Sequence, residues 1–91
     1  MLDMNEVMEG LGEWLDNPYW KAFYEEAPTE ACKKYVAIYF YASDTEDEAA
    51  FEEMDKLEKD FGLSEWKHLL KFSGNTPEKA KIMKKIQELE G

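Results

Sequence analysis

Apolar residues at Met4, Val7, Met8, Leu11, Trp14 and Leu15 recur in steps of three and four, the spacing of one helical face. The predicted first helix covers Leu2 to Asp16. Asp3 is its N-cap, and Glu6 three residues on makes a variant of the capping box. Gly10 and Gly12 fall inside it, where each glycine weakens a helix by about 1 kcal/mol relative to alanine. They imply either a close helix crossing or a loose stretch. Asn17-Pro18 ends the helix, because a residue before proline disfavours helical backbone. Pro18 suits the first turn of a second helix, Pro18 to Glu26, with Tyr19, Trp20, Phe23 and Tyr24 on one aromatic stripe.

The most apolar run is Ala31 to Ala42, ACKKYVAIYFYA. Its β-branched and aromatic residues over 35–41 suit a strand. The run continues without a break from Glu30, however, and no second strand-like segment exists to pair with it. A buried central helix over residues 28–42 is therefore predicted. Ala31, Cys32, Tyr35, Val36 and Tyr39 form one face, and Ile38 and Phe40 widen it towards a full circle, as expected of a helix covered on several sides.

Beyond it, Ser43 with Glu46 and Thr45 with Glu48 both fit the capping box, and predict a helix to about Phe61. Ala50, Met54, Leu57 and Phe61 form its apolar face, widened by Phe51, with Gly62 as the residue past its C-terminus. Ser64 is the N-cap or a first-turn residue of a short helix to Phe72, with Trp66, Leu69 and Leu70 inward and Gly74 after it. Asn75-Thr76-Pro77-Glu78 combines an N-cap, a first-turn proline and a first-turn acid. It opens a last helix to about Glu90 with Ala80, Ile82, Met83, Ile86 and Leu89 as its stripe. Trp20-Lys21 before Pro28 faintly echoes Trp66-Lys67 before Pro77, but the period fits no standard repeat and chance accounts for it. The expected fold is all-α: one compact domain over residues 1–91, a bundle of five to six short helices around the central one.

Charge narrows the function classes. The chain of 91 residues carries 21 acidic and 11 basic side chains, the latter all lysine. Residues 1–66 hold 18 acids and 5 lysines, a net −13; residues 67–91 hold 3 acids and 6 lysines, a net +3. The missing arginine argues against dedicated nucleic-acid recognition, which relies on bidentate guanidinium contacts. One cysteine excludes an internal disulfide. The first residues show no cationic or apolar segment of a signal peptide, and no run reaches a membrane span. A cytoplasmic location is expected, away from any membrane.

The candidate chemistry is sparse. His68 is the only histidine, so Glu65-Trp-Lys-His68 supplies one Glu-x-x-His turn where a di-iron bundle needs two, and His68 reads as a partly exposed helix residue. Cys32 sits in the most apolar stretch, where a thiol is packing. A calcium loop counted from Asp44 would need Gly at its sixth position and Glu at its twelfth. The chain has Ala49 and Asp55 there. Gly10-Leu-Gly12 precedes no phosphate loop. No cofactor, metal or catalytic residue is expected, and the sequence reads as non-enzymatic.

Two partner surfaces remain. An acidic helix face with Glu46, Asp47, Glu52, Glu53 and Asp55 would attract a basic protein. The stripe of Tyr19, Trp20, Phe23 and Tyr24 would serve as an aromatic patch if it were not core. The leading expectation is thus a small acidic interaction or regulatory domain binding a protein partner, and the charge polarity also allows a homodimer. The alternative is a nucleic-acid-binding regulator, with residues 64–90 as a helix-turn-helix-like pair and Lys79, Lys81, Lys84 and Lys85 on phosphate. If the lysines pair with carboxylates of the same chain, that alternative loses its basis.

Overall fold

The computed structural model describes residues 2–73 and 76–91. Among them it holds six helices and no strand: α1 (Met4–Leu15), α2 (Pro18–Glu25), α3 (Glu30–Thr45), α4 (Glu48–Glu58), α5 (Leu63–Phe72) and α6 (Pro77–Glu90). The expected all-α bundle is therefore present. The radius of gyration is 12.7 Å, against roughly 12 Å for a well-packed chain of this length.

The apolar run is indeed a helix and indeed central. α3 packs against α1, α2 and α4. Seven of its side chains are buried: Cys32, Tyr35, Val36, Ala37, Ile38, Phe40 and Ala42. Around α3 the aromatic residues interlock. Trp14 of α1 stacks on Phe40 at 4.5 Å and 6°, and Trp20 of α2 meets both rings edge-on. Aromatic pairs in such geometries add about 0.5–1.5 kcal/mol each beyond their buried area. The Trp14 indole N–H also donates to Asp44 Oδ2 at 2.8 Å, tying α1 to the far end of α3.

α2 and α5 satisfy each other's ends. The last carbonyls of a helix lack intrahelical partners. The Phe23 carbonyl in the last turn of α2 accepts from His68 Nε2 of α5 at 2.6 Å, which fixes the proton on that nitrogen. In return, the Tyr19 hydroxyl of α2 donates to the Phe72 carbonyl at the end of α5, at 2.9 Å. His68 is buried and stacks on Phe23, where the sequence suggested a partly exposed helix residue.

Several expected boundaries move, each for a local reason. α3 runs to Thr45 rather than Ala42, because Ser43 and Thr45 donate back to the carbonyls of Tyr39 and Tyr41, both at 2.9 Å. Those hydroxyls thus extend one helix instead of capping the next. Glu46 ends α3 in the left-handed region, at φ 56°. Asp47 is the true N-cap of α4, accepting from the Ala49 N–H at 2.9 Å. α4 stops at Glu58 rather than Phe61, and Gly62 is the N-cap position of α5 in extended backbone, not a left-handed C-terminal glycine. Ser64 does lie in the first turn of α5, one of its two expected places. Gly10 and Gly12 face open space, so no close crossing requires them. On α6 only Ile82 and Ile86 of the expected stripe are buried; Ala80, Met83 and Leu89 are exposed. The start signal of α6 holds, with Thr76 at the N-cap position before Pro77 and Glu78 in the first turn; Asn75 and the helix-ending Gly74 lie outside the described residues.

Candidate functional site: a cleft between two helix pairs

α3 packs closely on α4, and α5 on α6. Between these two pairs a cleft of about 400 Å³ remains open, a volume within the range of ligand pockets. Its floor is apolar and comes from all sides: Tyr35, Tyr39 and Ala42 of α3, Met54 of α4, Leu69 and Phe72 of α5, Ile82 of α6 and Phe23 of α2. At its lip stands Phe51, 47% exposed although its ring is wholly apolar. The polar rim holds three carboxylates, Asp55, Glu58 and Glu78, against a single cation, Lys81.

Two tyrosines one turn apart on α3 line the cleft. Burial, and then the neighbouring Glu58 carboxylate, push the Tyr35 hydroxyl far above the ordinary phenol range. It therefore stays protonated and donates to Glu58 Oε1 at 2.8 Å. Lys81 Nζ meets the same carboxylate, 3.0 Å from Oε2 and 3.3 Å from Oε1. Burial and Glu78 likewise raise Tyr39. Both hydroxyls therefore stay neutral and able to donate.

The sequence-predicted acidic residues do not form one face. Asp55 lines the cleft, and Glu52 is exposed on the outer side of α4. Glu53 lies on the opposite flank, 3.8 Å from Lys34. Glu46 and Asp47 are occupied as the α3–α4 connection. The aromatic stripe is taken up by packing. Phe23 is buried, Trp20 is half-buried among Trp14, Tyr19 and Phe40, and Tyr24 lies under the Lys33 ammonium at 5.0 Å. Only Tyr19 keeps substantial exposure, 45%, and its hydroxyl is engaged with Phe72.

Among the described residues, three of the six C-terminal lysines pair with carboxylates, and of the four phosphate candidates only Lys81 does. Lys81 is bound to Glu58, Lys67 is 3.2 Å from Glu90, and Lys71 is 3.5 Å from Glu26. Lys84 and Lys85 are exposed and Lys79 is half-buried. The uninterrupted positive face that phosphate binding would need is thus broken at Lys81.

The lone cysteine and the lone histidine are both buried. Cys32 is fully buried, and burial, followed by the charge of Glu65, pushes its thiol up to about 12. His68 is committed to the Phe23 carbonyl. Among the described residues, no group of three or more His, Cys, Asp or Glu side chains comes together to hold a metal ion, and no helix is long and apolar enough to cross a membrane.

Sequence reasoning treats Tyr35, Met54 and Ile82 as ordinary core, places Phe51 on the apolar face of the fourth helix where the structure leaves it exposed, and singles out no role for Glu58. One signal was present: Phe51, Asp55 and Glu58 are spaced i, i+4, i+7 and so share one flank of α4. No protein-family model matches the chain, and the searches of curated proteins and of solved structures found no significant match to it.

Proposed function

We propose that this protein is a non-catalytic binding module that docks a segment of a protein partner in the cleft between α3, α4, α5 and α6. The observation that carries the reading is the exposed Phe51 at the lip of an apolar cleft with an acidic rim. Apolar residues on one wall and carboxylates around it match an occupant with an apolar side chain flanked by Lys or Arg. The acidic surface of the chain works here through Asp55, Glu58 and Glu78 rather than through one broad face of α4. The net charge of −10 would raise the encounter rate with a basic partner. A cytoplasmic setting fits the single, buried, unpaired thiol.

The test is titration of the protein with a short amphipathic peptide of leucine and lysine, followed by backbone amide NMR shifts. Shifts should centre on α4, α6 and the α3 residues of the cleft, weaken with added salt, and shrink strongly in Phe51→Ala. A leucine–glutamate peptide of the same pattern should not bind. Equal binding of both peptides, or shifts centred on α1 and α2, would refute the reading. Concentration-dependent self-association that Phe51→Ala abolishes would assign the cleft to a second copy of the chain instead.

A further inference from the structure

We infer that the Glu58 carboxylate is the subsite for a partner's ammonium or guanidinium group, and that Lys81 of the same chain occupies it as an internal competitor. The inference rests on the cleft being the docking site and names the group it recognises there.

The acceptor is built into the fold. The Glu58 side chain is 15% exposed, and the buried Tyr35 hydroxyl orients it from below at 2.8 Å. A carboxylate in this position keeps lone pairs free towards the cleft after accepting from Tyr35. Asp55, one turn earlier on α4, adds negative charge beside it. A cation arriving from the cleft would therefore meet a preorganised, partly desolvated acceptor, where a charge-assisted hydrogen bond is stronger than on open surface.

The present occupant is different in kind. The Lys81 side chain is 52% exposed and reaches Glu58 from the flank of α6, with its stem along the rim. A half-exposed lysine holds a carboxylate weakly, because solvent screens the pair and the long side chain loses rotamer freedom. It can swing into solvent without moving α6, whereas Glu58 cannot turn away without releasing Tyr35. Lys81 thus satisfies Glu58 in the unbound protein and yields to a partner cation. It lowers the apparent affinity and rejects occupants too weak to displace it.

The test compares affinities for the leucine–lysine peptide by isothermal titration calorimetry in wild type, Lys81→Gln, Lys84→Gln and Glu58→Gln. Lys84 is exposed on the same helix, so Lys84→Gln controls for the change in net charge. The expected result is that Lys81→Gln binds roughly two- to fivefold more tightly than Lys84→Gln, while Glu58→Gln binds more weakly than wild type. Binding by Lys81→Gln with none detectable in wild type would support the inference in a stronger form. If wild type binds in the cleft and Lys81→Gln is equal to or weaker than Lys84→Gln, the competitor is refuted and the docking reading stands. If no variant binds, both fall. Thermal melts of the four proteins separate loss of affinity from loss of fold, and a Glu58→Gln protein that is folded yet binds as wild type does also overturns the subsite.

Discussion

Replacing Glu65 by alanine should destabilise the fold far more than a surface acid would. The Glu65 side chain is buried at the first turn of α5. Its Oε1 accepts from the Gly62 N–H at 3.0 Å and from Ser64 Oγ at 3.0 Å, and its Oε2 accepts from Thr29 Oγ1 at 3.2 Å. Thr29 is itself the N-cap of α3, accepting from the Cys32 N–H at 3.2 Å. One carboxylate therefore closes the start of α5 and clasps it to the start of α3. Removing it leaves the Gly62 N–H without its partner and releases the tie to Thr29. A lost helix cap amounts to about 0.5–2 kcal/mol, and loss of a charge-assisted bond adds about 1.5–3 kcal/mol, less what water recovers. We expect a net loss of roughly 2–4 kcal/mol, equivalent to a fall in Tm of about 10–20 °C for a domain of this size. Urea denaturation read by tryptophan fluorescence is the assay. A Glu65→Ala loss below about 0.5 kcal/mol, the range of ordinary surface substitutions, would refute the clasp. Burial alone would raise the Glu65 carboxyl, but the hydrogen bonds from its own backbone, Ser64, Gly62 and Thr29 outweigh it and hold the carboxyl below its ordinary value of 4.5. Its folded form is thus more acidic than its unfolded form. The resulting stability is complete above the ordinary value and is lost as pH falls below 4.5 through the folded value. Glu65→Gln should flatten the stability profile in that acidic window and leave it unchanged near neutrality apart from a constant offset.

Two backbone predictions are independent of any partner. Gly12 is exposed in the middle of α1, and a Cβ there meets nothing within 4 Å; Gly12→Ala should stabilise the protein by about 0.5–1 kcal/mol in the same denaturation assay. Glu46 is the one non-glycine residue with positive φ among the described residues, so Glu46→Gly should relieve about 1 kcal/mol of left-handed strain, and a measured loss of stability would show that the Glu46 side chain makes a contribution its exposure does not suggest.

What the sequence revealed and what it concealed divide along a physical line. Helical periodicity is a property of neighbours three and four apart, so α1, α2, α5 and α6 were legible to within two residues, and α3 could be recognised as a helix because nothing else in the chain could pair with a strand. Hydroxyl chemistry was less legible, since a serine or threonine bonds forward to an N–H or back to a carbonyl with similar ease. Ser43 bonds back to Tyr39, Thr45 bonds both back to Tyr41 and forward to the Asp47 N–H, and the α3–α4 junction moved by a turn. His68 was misplaced for a related reason. Its burial follows from a free carbonyl at Phe23, a consequence of where α2 ends and how α2 lies against α5, neither of which is written in the residues around position 68.

The cleft belongs to a third category. Tyr35, Met54, Leu69 and Ile82 each occupy a position that helical periodicity assigns to the core, and each does face inward. Periodicity gives the face of a helix but not how one pair of helices sits against the next, and it is between the pairs that these faces line an open cleft. Small buried residues, Ala42 on α3 and Ala50 on α4, suit close packing within the first pair. Across the seam the facing residues are longer and charged at the rim, and a Glu58–Lys81 bridge spans a gap that side-chain packing fills elsewhere. In an otherwise close-packed helical protein of this size, 400 Å³ of open apolar space forfeits burial that a few larger side chains could supply. Filling it should therefore raise stability while abolishing peptide binding. Ser43→Leu, at an exposed residue of the cleft lining, is the substitution that separates the two. A cleft that is merely imperfect packing would gain stability and lose nothing, whereas a docking site would gain stability at the expense of its occupant.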